Sequence, residues 1–281
     1  MDWLTEPFAL AFQQRALVAG VLAAMALALV GTWVVIRGMA FLGDALVHGV
    51  IPGIALAVLL DFNPLIGAAG AALMMILGIN YVRSRTSFGD DTGIGLLFVG
   101  MLALGVILLS ITPAYAGTLA AVLFGDTLGV TRGDIVLLAL IAGLSVVATI
   151  AFHRPFLVLS FNEDKARLLG LRPRLAHFVM LALITLVIVG SFRTVGTLLV
   201  FGLLVGPPAT ASLIARRVPM IMGLAVVIGG LSVVTGLIVS YHAGTAGSAT
   251  IALFAVAFFF VVLFGRAIAG RFRTAASAIG A

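Results

Sequence analysis

The chain has 281 residues, 63% of them hydrophobic and 9% charged, with a mean hydropathy of +1.29 and a formal net charge of +6. A soluble domain carries about 25% charged and about 45–50% apolar residues, so this composition excludes a compact aqueous globule, and its apolar content excludes disorder. There is no cysteine, which excludes disulfides, thiolate metal sites and cysteine nucleophiles. The class that fits is all-α: a polytopic integral membrane helix bundle, read as a single transmembrane domain over residues 1–281.

Asp2 and Glu6 precede the first apolar run and no basic segment comes before it, so no cleavable signal peptide is expected. A spanning helix needs about 20 mostly apolar residues. In chain order such runs are Ala16–Ile36, Phe41–Leu60, Pro64–Val82, Thr92–Ile111, Ile135–Phe152, Ala176–Gly190, Val195–Ala215, Met220–Ser240 and Ala249–Ala267. Between the fourth and fifth, the apolar piece Thr118–Phe124 is too short to cross. It reads as a half-helix or re-entrant element, which needs cover by protein or water. The expectation is therefore eight to nine spans, one half-helix and one cytoplasmic helix.

The basic residues sort by side. Arg37, Arg83, Arg85, Arg154, Lys165, Arg167, Arg172, Arg174, Arg216, Arg217, Arg266, Arg271 and Arg273 fall in connections that alternate to one face. Only Arg15, Arg132 and Arg193 fall to the other, so the first face is cytoplasmic. This is a topogenic pattern, not a nucleic-acid footprint. With nine spans the N-terminus lies outside and the C-terminus inside. The pairs Gly49/Gly53, Gly125/Gly129 and Gly202/Gly206 are small residues four apart, which permit close helix approach in lipid.

Ionisable groups in hydrocarbon cost at least about 2.5 kcal/mol each and mark function. Asp44 and His48 stand out: at i and i+4 they project from one helix face about 6 Å apart. Imidazole suits zinc and carboxylate suits harder ions such as manganese, so the pair can share one divalent cation. Pro52, which lacks a backbone donor, is expected to open the helix locally, with Gly43 and Gly53 around it. The bland alternative is an Asp–His hydrogen bond that neutralises two buried groups. Asp126 reads first as a helix cap and second as an ion contact, while Asp90 and Asp91 read as negative charge at a helix start. His242, in an outer loop, is a minor metal candidate; His153 and His177 flank the longest inner loop, and Arg193 reads as a snorkelling helix end.

That inner loop has a helix-start signal at Asn162 and a glycine stop at Gly170. Its short charged helix has an apolar edge of Leu168, Leu169 and Leu171, suited to docking a soluble partner in a groove. The only lysine is Lys165 and no G-x-x-x-x-G-K-[ST] motif occurs, so this chain has no P-loop. Energy for active transport would come from a partner chain or an ion gradient.

Six motifs occur in order: Gly43-Asp44…His48…Pro52-Gly53; Asp91-Thr92-Gly93-Ile94-Gly95; Leu123-Phe124-Gly125-Asp126-Thr127-Leu128; Phe161…Ala166-Arg167-Leu168-Leu169-Gly170-Leu171; Val195-Gly196-Thr197-Leu198-Leu199 with Gly206-Pro207-Pro208-Ala209-Thr210-Ala211; and Gly236-Leu237-Ile238-Val239-Ser240-Tyr241. Over about residues 12 to 267 the chain resembles the membrane permease of bacterial ABC importers for zinc, manganese or iron. The resemblance implies a homodimer in the cytoplasmic (inner) membrane with a path at or beside its two-fold axis. It also implies two cytoplasmic ATPase subunits that bind ATP, and an extracytoplasmic metal-binding protein. Asp44 and His48 would contact the passing metal, zinc first by the histidine. Residues 161–171 would be the coupling helix, with Phe161, Glu163, Asp164, Arg167, Leu168 and Gly170 facing the ATPase. No permanently bound cofactor is implied. The competing expectation is a secondary transporter that couples cation uptake to protons through Asp44 and His48.

Overall fold

The computed structural model describes residues 2–86, 90–111, 124–125, 129–161 and 173–279. Among them the regular elements are helical. A short helix α1 (Asp2–Thr5) and a 3-10 turn lead into α2 (Ala11–Ile36), α3 (Ala40–Gly49), α4 (Ile51–Leu59), α5 (Pro64–Arg85) and α6 (Asp90–Ser110). Then follow α7 (Arg132–Ala151), α8 (His153–Phe161), α9 (Pro173–Ile214), α10 (Val218–Ala243) and α11 (Gly247–Ile279). Local signals place several starts. Asn63 accepts a hydrogen bond from the Leu65 N–H ahead of Pro64, and Thr131 forms a reciprocal capping box with Asp134. α6 begins at Asp90.

Among the described residues eight helical stretches are long and apolar enough to cross a bilayer. One of them, Leu175–Ile214, has 40 residues. At 1.5 Å per residue it is about 60 Å long, twice the hydrocarbon thickness. It does not run straight: Gly196 sits at φ 77°, ψ 161° in the middle. Contacts on either side of Gly196 show that the chain turns back there. His177 and Met180 lie against Arg37, just past the end of α2, whereas Thr194, Val195 and Leu199 lie with Ala16, Ala19 and Gly20 near its start. Beyond the turn, Gly202 meets Ala252 and Gly206 meets Ala255, so this arm runs parallel to α11. α10 runs antiparallel to α2, its Val233 beside Gly20 and its Gly229 beside Ala24, and Gly236 then meets Ile251 across the hairpin into α11. The two arms of α9 therefore cross in opposite senses, and among the described residues the eight stretches make nine passes, within the eight to nine expected from the sequence.

The backbone at Gly196 lies in a region open essentially to glycine alone, and a Cβ on Gly125 would collide with its amide. Gly196→Ala is expected to lower stability by about 1–3 kcal/mol, read as a lower melting temperature of the detergent-solubilised protein. Gly223→Ala, at a helical glycine with nothing within 4 Å of the added Cβ, should melt at or above the parent temperature.

The core gathers α2, α3, both arms of α9 and the inner faces of α10 and α11 around Leu27, Trp33, Leu46, Ile188, Leu199 and Leu203. Buried hydroxyls turn inward on their own helices: Thr32, Ser145 and Thr210 each donate to the carbonyl four residues earlier. Pro207 and Pro208 lie inside the second arm of α9 without ending it. The half-helix expected over 118–124 falls outside the described residues except for Phe124.

Candidate metal-translocation site

The site begins with a helix broken on purpose by sequence. α3 ends at Gly49 and α4 starts at Ile51, with Pro52 in its first turn. Proline at this position cannot donate to the carbonyl four residues earlier, which belongs to His48; that carbonyl accepts instead from the Val50 N–H. The Ile51–Pro52 break is held from the side by α6, where a Cβ on Gly105 would stand 2.8 Å from the Ile51 side chain. Gly43 is buried on the face of α3 that meets Leu204 and Val34. The roles expected of Gly43, Pro52 and Gly53 as helix-opening or gating residues have this much geometry behind them: Gly43 admits a close neighbour, Pro52 breaks the ladder, and Gly53 brings α4 onto α5.

On this scaffold the carboxylate and the imidazole converge. Asp44 Oδ1 lies 3.4 Å from His48 Nε2, and the two side chains are 25% and 24% exposed. Two ligand atoms each about 2.1 Å from one ion, at a tetrahedral angle, stand about 3.4 Å apart. The pair is thus spaced as two ligands of one ion. The same spacing is long for a hydrogen bond, which weakens the reading of a merely neutralised pair. The Phe98 ring of α6 lies 6.0 Å from the His48 ring and 6.1 Å from the Phe41 ring, so an aromatic wall borders the imidazole. Among the described residues no group of three or more His, Cys, Asp or Glu side chains could hold a metal. Among the described residues the candidate set is therefore these two side chains.

The other expected residues fall elsewhere. His242 Nε2 lies 2.9 Å from the Trp3 carbonyl oxygen, and its ring stacks on the Trp3 indole at 4.4 Å. It ties the N-terminal helix to the end of α10 and is engaged there, away from Asp44 and His48. His153 stands 5.6 Å from the Trp33 ring, and His177 Nδ1 is 3.4 Å from an Arg37 guanidinium nitrogen. Arg193 places its charge on Asp134, the capping carboxylate of α7. Asp126, Glu163, Asp164, Arg167, Leu168 and Gly170 lie outside the described residues, and Phe161 closes α8. At the end of the bundle opposite Arg37, a cavity of about 470 Å³ opens between Gln13, Phe124, Tyr241 and the turn at Gly244.

Sequence reasoning missed Phe98, Gly105 and Gly67. Each touches the α3–α4 segment from another helix; Gly67, three residues after a helix-starting Pro64, carried a weak signal as part of a Gly67/Ala71 small-residue spacing.

A model of the ABC 3 transport family matches residues 9–266. The manganese transport system membrane protein MntC of Listeria innocua is 35% identical over 250 residues, covering 89% of each chain. The probable iron transport system membrane protein of Haemophilus influenzae is 32% identical over 262 residues, covering 93% of this chain and 96% of its own. The solved structure of PsaBC from Streptococcus pneumoniae in complex with Fab superposes with a TM-score of 0.83 at 30% identity, over 93% of this chain and 94% of that one. With an apolar multi-span helix bundle and a family match across nearly its whole length, this chain belongs to the ABC 3 transport family and is a multi-pass permease of the cytoplasmic membrane.

Proposed function

We propose that the chain is the permease subunit of an ATP-driven importer whose cargo is a divalent transition metal ion, manganese first and iron second. The observation that carries this reading is the 3.4 Å Asp44–His48 pair inside the membrane. The names of similar proteins supply the metals: manganese for the Listeria relative and iron for the Haemophilus relative. A carboxylate in the set favours the harder ions, and the imidazole alone would have favoured zinc.

A half-shell on one chain makes sense across a two-fold axis. Two copies facing each other through Asp44 and His48 would offer two carboxylates and two imidazoles, neutralising a divalent ion without help from lipid or bulk water. Such a set is assembled and taken apart by moving the copies, which is what release requires. ATP binding by two cytoplasmic ATPase subunits would draw the coupling segments together through Phe161, Glu163, Asp164, Arg167, Leu168 and Gly170, and change the side to which the metal set opens. An extracytoplasmic metal-binding protein would deliver the ion at the opposite end.

The test is uptake into vesicles holding the chain with its ATPase partner. Radioactive manganese should accumulate only with ATP and delivery protein present, and excess unlabelled iron should compete better than excess zinc. Zinc competing best would change the cargo. Accumulation by the chain alone, driven by a proton gradient, would overturn the ATP-driven reading in favour of a secondary transporter.

A further inference from the structure

A cavity lies on the other side of α3. It sits at the basic end of the bundle, has a volume of about 180 Å³ and is bounded by Arg37, Asn80 and His177, with Leu42, Ile76 and Leu181 as apolar wall. Leu42 stands about 200° and 240° around the helix from Asp44 and His48, so this cavity is separate from the metal pair. Arg37 brings a guanidinium nitrogen to 3.4 Å from His177 Nδ1 and 3.7 Å from Met180 Sδ, which fixes the charge at the cavity wall.

The cavity does not end there. A groove of about 300 Å³ between α5 and the first arm of α9 shares Ile76 and Leu181 with it. Apart from Thr185 its lining is hydrocarbon. Cavity and groove together run along the first arm of α9 from His177 to Val189, twelve residues of helix or about 18 Å, close to the roughly 15 Å depth of one leaflet. Leu73 and Phe178 on its rims are 56% and 64% exposed, so the groove opens sideways onto lipid.

We infer that the cavity and groove together bind one anionic phospholipid of the cytoplasmic leaflet. Its phosphate would sit by the Arg37 guanidinium and the Asn80 amide, and one acyl chain would lie between Ala69 and Leu186. Basic pockets between helices on the cytoplasmic side select such headgroups by charge, and a guanidinium recognises phosphate oxygens with paired hydrogen bonds. The groove alone would accept any acyl chain; the attached arginine makes the site selective for charge. The occupant braces the first arm of α9, the element that carries the chain to the Gly196 turn.

The experiment is native mass spectrometry of the full chain titrated with phosphatidylglycerol or phosphatidylcholine vesicles. Wild type should retain one phosphatidylglycerol per chain in preference to phosphatidylcholine. Arg37→Gln should lower that preference about fivefold, the equivalent of about 1 kcal/mol for one basic residue at the membrane surface. Ala182→Trp fills the groove from its exposed rim without touching the core, and should abolish retention of both lipids. Equal retention of the two lipids by wild type would overturn the proposal. So would displacement of phosphatidylglycerol by inorganic phosphate, which marks a free-anion site. Unchanged retention by Ala182→Trp, with or without loss of dimer, would overturn it as well.

Discussion

Asp44→Asn and His48→Ala, each made singly, are expected to lower metal uptake by roughly 100-fold or more while leaving the amount of protein in the membrane unchanged. Outer-shell partners of metal ligands already cost about 10–100-fold when lost, and here the lost group is a proposed ligand. In the proposed two-fold arrangement the damage would be doubled, because one substitution would remove two of the four proposed ligand atoms. Protein level should hold because both side chains are only partly buried, and because Asn matches Asp in volume. The tight face of α3, at Gly43 against Leu204, is untouched by either change. Asparagine also keeps an oxygen at the same place, so a strong defect in Asp44→Asn isolates the charge from the shape. The measurement is whole-cell accumulation of manganese and iron, normalised to permease in isolated membranes. Uptake at the parent rate in both variants would remove the site from the path.

What could be read from the chain and what could not divide along a physical line. The passes were legible because the bilayer imposes a length of apolar residues that no tertiary contact can relax. That held even where the local reading was imperfect. Ser191, Arg193 and Thr194 read as a connection between two spans, yet the backbone stays helical through them and turns only at Gly196. Polar residues do not end a helix in lipid, since the backbone must still satisfy itself; the glycine makes the turn. The break before Pro52 was legible because proline's missing donor is a local fact. The Asp44–His48 pair was legible for the same reason, its i, i+4 spacing being a property of one helix. The rest depends on meetings between distant segments. Nothing in the chain order says that Phe98 will border His48, or that His242 will be taken by the Trp3 carbonyl and indole instead of an ion. Polar atoms that look available in a sequence find partners at distances of hundreds of residues.

The close contact of α4 with α5 is where packing bears on the proposed transport site. A Cβ on Gly53 would collide with the Gly67 carbonyl and stand 2.7 Å from the Ala71 Cβ, and a Cβ on Gly67 would collide with the Gly53 carbonyl. Backbone faces backbone on both sides, so no flexible side chain can swing away. Gly53→Val must push the two helices apart, and overpacking costs about 1–3 kcal/mol, occasionally more. In lipid, close van der Waals approach of small residues is itself much of what holds helices together, so the separation also forfeits the attraction that positioned α4. Gly53 is one residue past Pro52, at the start of the segment that follows the His48 break, and a shift there is carried straight to the imidazole. Gly53→Val is therefore expected to lower both the melting temperature in detergent and the yield of folded permease, and to depress uptake per folded molecule. Gly70→Ala is the control on the same helix pair: nothing lies within 4 Å of its added Cβ, and alanine is the better helix former by about 1 kcal/mol. It should melt at or above the parent temperature and transport normally. Were Gly53→Val to melt with Gly70→Ala, the helices would have room that the carbonyl contacts deny, and the placement of His48 by this contact would have to be abandoned.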